Sequence, residues 1–320
     1  TACNMASIWN RLPFASSNLD LASQVLQANY GVVIVSYMVT GFMMLWLCVH
    51  ILAVIAILHI SDCPSEDDDC PPKMGTRPLV LFLSLGLFWT QRVAKNIIQV
   101  TVASIIGNWW KSLDDPSSCC WTLVLRNSLS RSLTTSFGTI CYGSLITPFM
   151  SLLKLLWKNK TQDEDERTDD LFDCFNKWAF PCIALDGKPF IESGKKATRI
   201  FRERGWSSII LDSTMSVTNI LACLSVGLTA GVIGHVIVVH EISWFRLLGS
   251  HASALGFFIS LITGTMMSNI LMTVMESSFN AVVFCFGESP SELRRNHADC
   301  YLELREAWRK VYPDESSPCA

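Results

Sequence analysis

Charge is scarce in this 320-residue chain. Asp, Glu, Lys and Arg together make up 17% of it, against the ~25% usual in soluble domains, and Gly31 to Ile60 contains none at all. A helix of that length, at ~1.5 Å per residue, more than crosses a ~30 Å hydrocarbon core. With 50% hydrophobic residues and a positive mean hydropathy, a soluble domain is excluded and a membrane protein is implied. The net charge of −3 is too small to point to a charged partner. Nor does any basic tract interleaved with aromatics offer a nucleic-acid groove.

The motifs of catalysis are missing too. There is no nucleophile elbow, no paired His on a helix and no phosphate-binding glycine loop, and Ser, His and Asp combine only by free choice from distant loops. Neither an enzyme nor a cofactor is expected. Of the 13 cysteines, Cys48, Cys141, Cys223 and Cys285 fall in apolar segments, where a free thiol is a small buried hydrophobe. Cys63 and Cys70 bracket an acidic turn and suit a disulfide if that loop faces outside. As metal ligands they are weak, with no His nearby. The first Met is residue 5, and nothing around it has the layout of a signal peptide; the true N-terminus is expected to lie further upstream.

What is present is a series of apolar segments. Residues 31–60, 133–153, 213–240 and 251–285 read as spans, and 79–107 as another, interrupted only by Arg92 and Lys95. The expected fold is all-α, a polytopic transmembrane helix bundle over residues 31–285. Residues 1–30 read as an amphipathic surface helix, and 286–320 as a cytoplasmic tail. Basic residues crowd the connection Lys158 to Arg204 and the tail (Arg294, Arg295, Arg305, Arg309, Lys310), which assigns both to the cytoplasm. The Lys111 to Arg131 loop is basic as well, so the parity of crossings fails unless the moderately apolar stretch 171–190 crosses or dips into the membrane.

Three polar stripes run through these spans at helical spacing. The first is Arg92, Lys95, Asn96 and Gln99, just after Phe88 and Trp89. The second is Asn269, Thr273, Glu276 and Asn280. The third, at the entry of the fourth span, is Asp212, Ser216, Asn219 and Cys223. Ser, Thr and Asn often serve only as glue between helices. Glu276 is different: with no charged neighbour for a span's length before it, the carboxylate must pair with a cation, protonate or sit in water, and Arg92 or Lys95 is its natural partner. Gly227, Gly231 and Gly234 form a small-residue packing face. His50 and His235 read as satisfied interior residues. Trp46, Trp89, Trp109, Trp110, Trp121 and Tyr142 suit an interfacial belt, from which a few can cage a quaternary ammonium.

With the spans placed, the connecting motifs RLPFASSNLDLASQVLQANYG (Arg11 to Gly31), LFWTQRVAKNIIQVTVA (Leu87 to Ala103) followed by Trp109 and Trp110, and FGTICYGSL (Phe137 to Leu145) stand out. They resemble the choline transporter-like solute carriers, the fungal and protist branch in particular. FNKWAFPCIALDGKPFIESGKKA (Phe175 to Ala197) is similar to the family's Asn-x-x-Ala-Tyr, Ile-Ala-x-x-Gly-x-x-Phe signature. ESSFNAVVFCFGESP (Glu276 to Pro290) and NHADCYLELREAW (Asn296 to Trp308) complete the likeness. It implies a ten-span carrier with both termini cytoplasmic, of which these residues are the C-terminal half, with 61–77 external and 171–190 crossing or re-entrant. Phe180 stands where the family usually has Tyr, Pro181 and Asp186 interrupt a normally smoother stretch, and Glu276 replaces a frequent Asp.

The resemblance implies a secondary transporter of choline or a similar small organic cation, by default in the plasma membrane, with the lipid bilayer as its other partner. Glu276 would balance the cation, Trp89 and Tyr142 would supply aromatic faces, and Arg92, Lys95 and Asn96 would gate the path. Gln99, Asn269, Asn280 and Asp212 are further path candidates. If Glu276 is neutralised by Arg92 or Lys95, a zwitterion or anion fits instead. The other reading is a non-transporting scaffold that holds anionic lipid through the basic connector Lys177 to Arg204.

Overall fold

The computed structural model describes residues 16–61, 76–112, 121–158, 177–204, 206, 214–240 and 252–311. Among these residues there are eleven helices and no strand. They are α1 (16–28), α2 (Gly31–Ser61), α3 (Thr76–Lys111), α4 (Leu123–Leu133), α5 (Phe137–Lys158), α6 (177–186), α7 (Phe190–Glu203), α8 (Thr214–His240), α9 (Ala252–Glu288), α10 (Pro290–Asn296) and α11 (Ala298–Val311). The fold is all-α. The 63–70 cysteine loop, Asp212 and the connection 241–250 lie outside the described residues.

Three stretches among the described residues are long and apolar enough to cross a membrane: Gly31–Ile57, Met215–His240 and Ser253–Glu288. Their surfaces fit lipid. Leu45 and Leu52 of α2 are each 66% exposed, and Leu221 and Ile233 of α8 are similarly bare, which water would penalise and hydrocarbon does not. α3 is 36 residues long, about 54 Å, with Arg92 and Lys95 near its middle. The apolar stretch 133–153 is divided by a turn at residues 134–136, so α5 starts at Phe137. Ahead of it Thr122 caps α4, its hydroxyl accepting from the Leu125 N–H at 3.1 Å.

α8 and α9 form an antiparallel hairpin whose contact is made of small residues. Gly227 lies against Thr265 and Leu261, Gly231 against Phe257, and Gly264 against Ala230 and Gly227, so numbers rise on α8 as they fall on α9. Close backbone approach replaces the hydrophobic drive that lipid cannot provide. α3 packs beside α9 in the same direction. Lys95 meets Glu276, and fifteen residues further on the Trp110 indole donates to the Ser289 carbonyl at 2.9 Å. Asn296 of α10 donates to the Trp110 carbonyl at 3.1 Å, and the His297 ring stacks on Trp109 with 4.0 Å between centroids. Trp110 is thus wholly buried, where an interfacial position was expected.

Three further expectations meet a different outcome. The apolar face of α1 (Leu21, Ala22, Val25, Leu26) joins the protein core and does not lie bare on the surface, because protein is there to cover it. His235 is exposed and His50 half-buried, each with its Nδ1 near a backbone carbonyl. Cys48 is exposed, whereas Cys223 and Cys285 are buried. Within 171–190, the described residues form α6, a turn at Gly187 with φ of 73°, and the start of α7.

The α6–α7 hairpin seats against the C-terminal end of α9. Trp178, Phe201, Trp206, Phe284, Phe286 and Trp308 form a continuous aromatic cluster there. Lys196 of α7 clamps it, bridging Asp186 Oδ2 at 2.6 Å and the Glu288 carboxylate. Burial alone would lower the Lys196 pKa, but the bonds to Asp186 and Glu288 outweigh it and hold the ammonium above its usual range. A raised lysine pKa contributes stability that is complete below the unfolded value of ~10.4 and fades as pH climbs through the folded one. Lys196→Met is therefore expected to cost about 2 kcal/mol by leaving two carboxylates facing each other. The melting-temperature gap from the wild type should be flat from pH 6 to 9 in a thermal-shift series; a gap that opens only at one end would contradict the clamp.

Candidate functional site

A helix repeats every 3.6 residues, so Phe88, Arg92 and Lys95 share one face of α3, and the structure turns that face toward α8 and α9. A cavity of about 360 Å³ lies between the three helices, at the small end of the ~300–1,000 Å³ usual for ligand cavities. The wall from α3 is Phe88, Gln91, Arg92 and Lys95. α8 supplies Ser216 and Asn219, and α9 supplies Asn269 and Glu276.

Glu276 is the centre of the cavity's electrostatics. Its Oε2 accepts from Lys95 Nζ at 3.0 Å and from Asn219 Nδ2 at 3.0 Å. The side chains of Lys95 and Glu276 keep only 15% and 19% of their surface, so water screens the pair poorly and each charge depends on the other. Arg92 has its guanidinium carbon 5.3 Å from the centroid of the Phe88 ring, a cation–π placement. Gln91 donates to the Met266 carbonyl of α9 at 2.8 Å and fixes α3 beside it. The cavity therefore presents a carboxylate and an aromatic face, each covered by one of the protein's own cations.

The sequence candidates divide. Glu276, Lys95, Arg92 and Asn269 line the cavity together. Trp89 and Tyr142 do not. Trp89 is one residue past Phe88, about 100° round the helix, so its indole turns to α5 and donates to the Cys141 carbonyl at 3.4 Å. Tyr142 of α5 meets the edge of Phe190, 6.4 Å between centroids. Asn96, one residue past Lys95, likewise donates to Ser144 of α5 at 2.8 Å. Gln99 and Asn280 are buried beyond the cavity lining, and Asp212 lies outside the described residues.

Members of all three polar stripes thus converge on one cavity through Lys95, Asn219 and Glu276. Other polar residues pair helix to helix: Thr101 with Ser132, Ser128 with Ser104, Asn96 with Ser144. Gln91 escaped notice in the sequence, although it sits four residues before Lys95 on the same face and that spacing was the available signal. Met266 escaped it too, since only its backbone carbonyl takes part. Among the described residues no cluster of His, Cys, Asp and Glu is arranged to hold a metal ion.

Comparison with known proteins places the chain in a family. The chain is 25% identical to a protein named PNS1 from Neurospora crassa over 328 residues, covering 95% of this chain and 57% of that protein. It is 21% identical to the pns1 protein of Aspergillus fumigatus, covering 94% of this chain and 60% of the relative. A CTL-like protein from Dictyostelium discoideum is 26% identical over 235 residues, 69% of this chain and 41% of that protein. The chain spans a little over half the length of the fungal relatives. The model of the family described as plasma-membrane choline transporter matches residues 1–291, which takes in α1 to α9 with the whole cavity, and the chain belongs to that family.

Proposed function

We propose that this protein carries choline or a similar small organic cation across the plasma membrane, and that the substrate ammonium replaces the protein's own cations in the cavity. The observation that carries this reading is the doubled surrogate: Lys95 on Glu276 and Arg92 on Phe88. A quaternary ammonium seeks a carboxylate for its charge and an aromatic face for its methyl groups. Both are present in one cavity, each occupied in the resting protein by a side chain able to swing aside. The exchange keeps Glu276 paired throughout, so no bare carboxylate is left at membrane depth. Access then alternates as α3 moves against the rigid α8–α9 hairpin.

Sidedness follows from charge. α7, the end of α3 and the tail helices gather at the C-terminal end of α9 through Lys196, Trp110 and Asn296; α7 and the tail helices are rich in Lys and Arg, and α3 ends on Lys111. The positive-inside rule assigns that end to the cytoplasm.

If Lys95 is an internal competitor, its removal unmasks the carboxylate. Lys95→Met is expected to lower the KM for choline about fivefold, since less of the site is held in the self-occupied form, and to slow turnover as release becomes harder. A raised KM in radiolabelled uptake would contradict the exchange. A second reading rests on a specific count: two cations, Arg92 and Lys95, face one carboxylate, Glu276. That surplus favours a zwitterion, whose carboxylate would take Arg92. Competition separates the two, because unlabelled betaine should displace choline poorly if the substrate is a plain cation and well if it is a zwitterion.

A further inference from the structure

On α9 the cavity lining ends at Glu276, and polar side chains continue past it in the packed interior. Ser277, the residue after Glu276, and Asn280, one turn further along α9, are 1% and 2% exposed, and among the described residues neither the Ser277 hydroxyl nor the Asn280 carboxamide oxygen has a hydrogen-bond partner. An unpaired buried polar atom costs free energy that native structures rarely leave uncompensated. α3 and α9 run side by side in the same direction, with Lys95 opposite Glu276, so Gln99 occupies the matching next turn of α3; it too is buried. Further along the two helices Ile106, Trp110 and Phe284 have no exposed surface.

We infer that Ser277 and Asn280 form a second station that accepts the hydroxyl of a hydroxyalkyl ammonium, and so select such solutes over cations lacking a donor. The inference rests on the cation-carrier reading and adds the basis of specificity to it. Glu276 to Asn280 is one helical turn, about 6 Å along the axis, a distance that a short hydroxyalkyl arm covers when its ammonium is held at Glu276. A hydroxyl hydrogen delivered to Asn280 Oδ1 supplies the missing donor, and Ser277 can donate in return to the hydroxyl oxygen. A tetraalkyl cation of the same charge leaves both atoms unpaired. Sites built to hydrogen-bond a substrate hydroxyl discriminate strongly against analogues without one, for that reason.

The test compares radiolabelled choline with radiolabelled tetramethylammonium in cells expressing the wild type, Asn280→Ala and Ser277→Ala at equal surface level. Expected is a wild-type preference for choline whose kcat/KM ratio over tetramethylammonium falls about tenfold in Asn280→Ala and about threefold in Ser277→Ala, through loss on the choline side. Ser277→Ala removes a single oxygen and guards against a folding failure in the larger change. A ratio that stays constant in both variants, or an equal fall for both cations, would overturn the station and make the step structural or an ion site. Absence of any cation uptake by the wild type would instead overturn the carrier reading on which the station depends.

Discussion

Glu276→Gln is expected to reduce cation uptake to about 1% of the wild type or less, with the protein still reaching the membrane. The change preserves shape, and Asn219 can still donate to the Gln carbonyl oxygen in place of Oε2. What is lost is the carboxylate facing Lys95 and Arg92 in the cavity, so two uncompensated positive charges now repel the substrate. Removing one member of a largely buried ion pair costs about 3 kcal/mol, which corresponds to a factor of roughly 100 in binding. Part of that penalty falls on folding, because Lys95 is left unpaired. The double variant Glu276→Gln with Lys95→Met separates the two: thermal stability in detergent should recover toward the wild type, while uptake should stay lost. Glu276→Asp keeps the charge and shortens the reach, and a measurable fraction of uptake should survive. If the single Gln variant transports normally, Glu276 is a structural residue and the cavity is not the path.

The second large effect concerns the frame that holds Glu276 and Asn219 face to face. Gly264→Leu should prevent a well-packed protein from forming, read as loss of the monodisperse peak in size-exclusion chromatography of detergent extracts. A Cβ at Gly264 would stand 2.7 Å from the Ala230 Cβ and 3.2 Å from the Gly227 Cα. Backbone cannot swing away as a flexible side chain can, so α8 and α9 must separate. Overpacking of this kind costs about 3 kcal/mol or more, and in lipid no hydrophobic gain offsets it, because contact between the helices is itself the driving force. Gly41 provides the control. A Cβ there meets nothing within 4 Å, and Gly41→Ala should be neutral or stabilising by about 0.5–1 kcal/mol through helix propensity. Normal assembly of Gly264→Leu would mean that the hairpin is not packed as described.

Much of this was legible in the sequence because membrane helices announce themselves. Lipid requires long uncharged runs, so the apolar segments from Gly31 and Thr214 and the one before Glu276 were recognisable from the absence of charge alone. The polar stripes were recognisable for a related reason: a charge in such a run carries a cost, and its period shows which residues share a face. What could not be read was helix rotation. Choosing Lys95 over Arg92 as the partner of Glu276 depends on how α3, α8 and α9 turn about their axes, and no pattern within one helix encodes that. The same rotation sends Phe88 into the cavity and Trp89 away from it, although they are adjacent and Trp looked the better cation ligand. The burial of Trp110 was equally hidden. Its position at the end of α3 resembles an interfacial anchor, and only the return of α10 onto that end, sealed by Ser289 and Asn296, makes it core. The α6–α7 stretch carries too many charges to look like an interior element; Lys196 offsets part of this by bridging Asp186 and Glu288.

Uptake of radiolabelled choline by the wild-type protein, expressed in a cell deficient in choline uptake, tests the central claim most directly. Saturable uptake above the empty-vector background, displaced by unlabelled choline and poorly by betaine, is the expected result and would identify the Glu276 cavity as a cation path when it vanishes in Glu276→Gln at equal surface expression. No saturable uptake, or uptake that survives loss of the Glu276 charge, would contradict it.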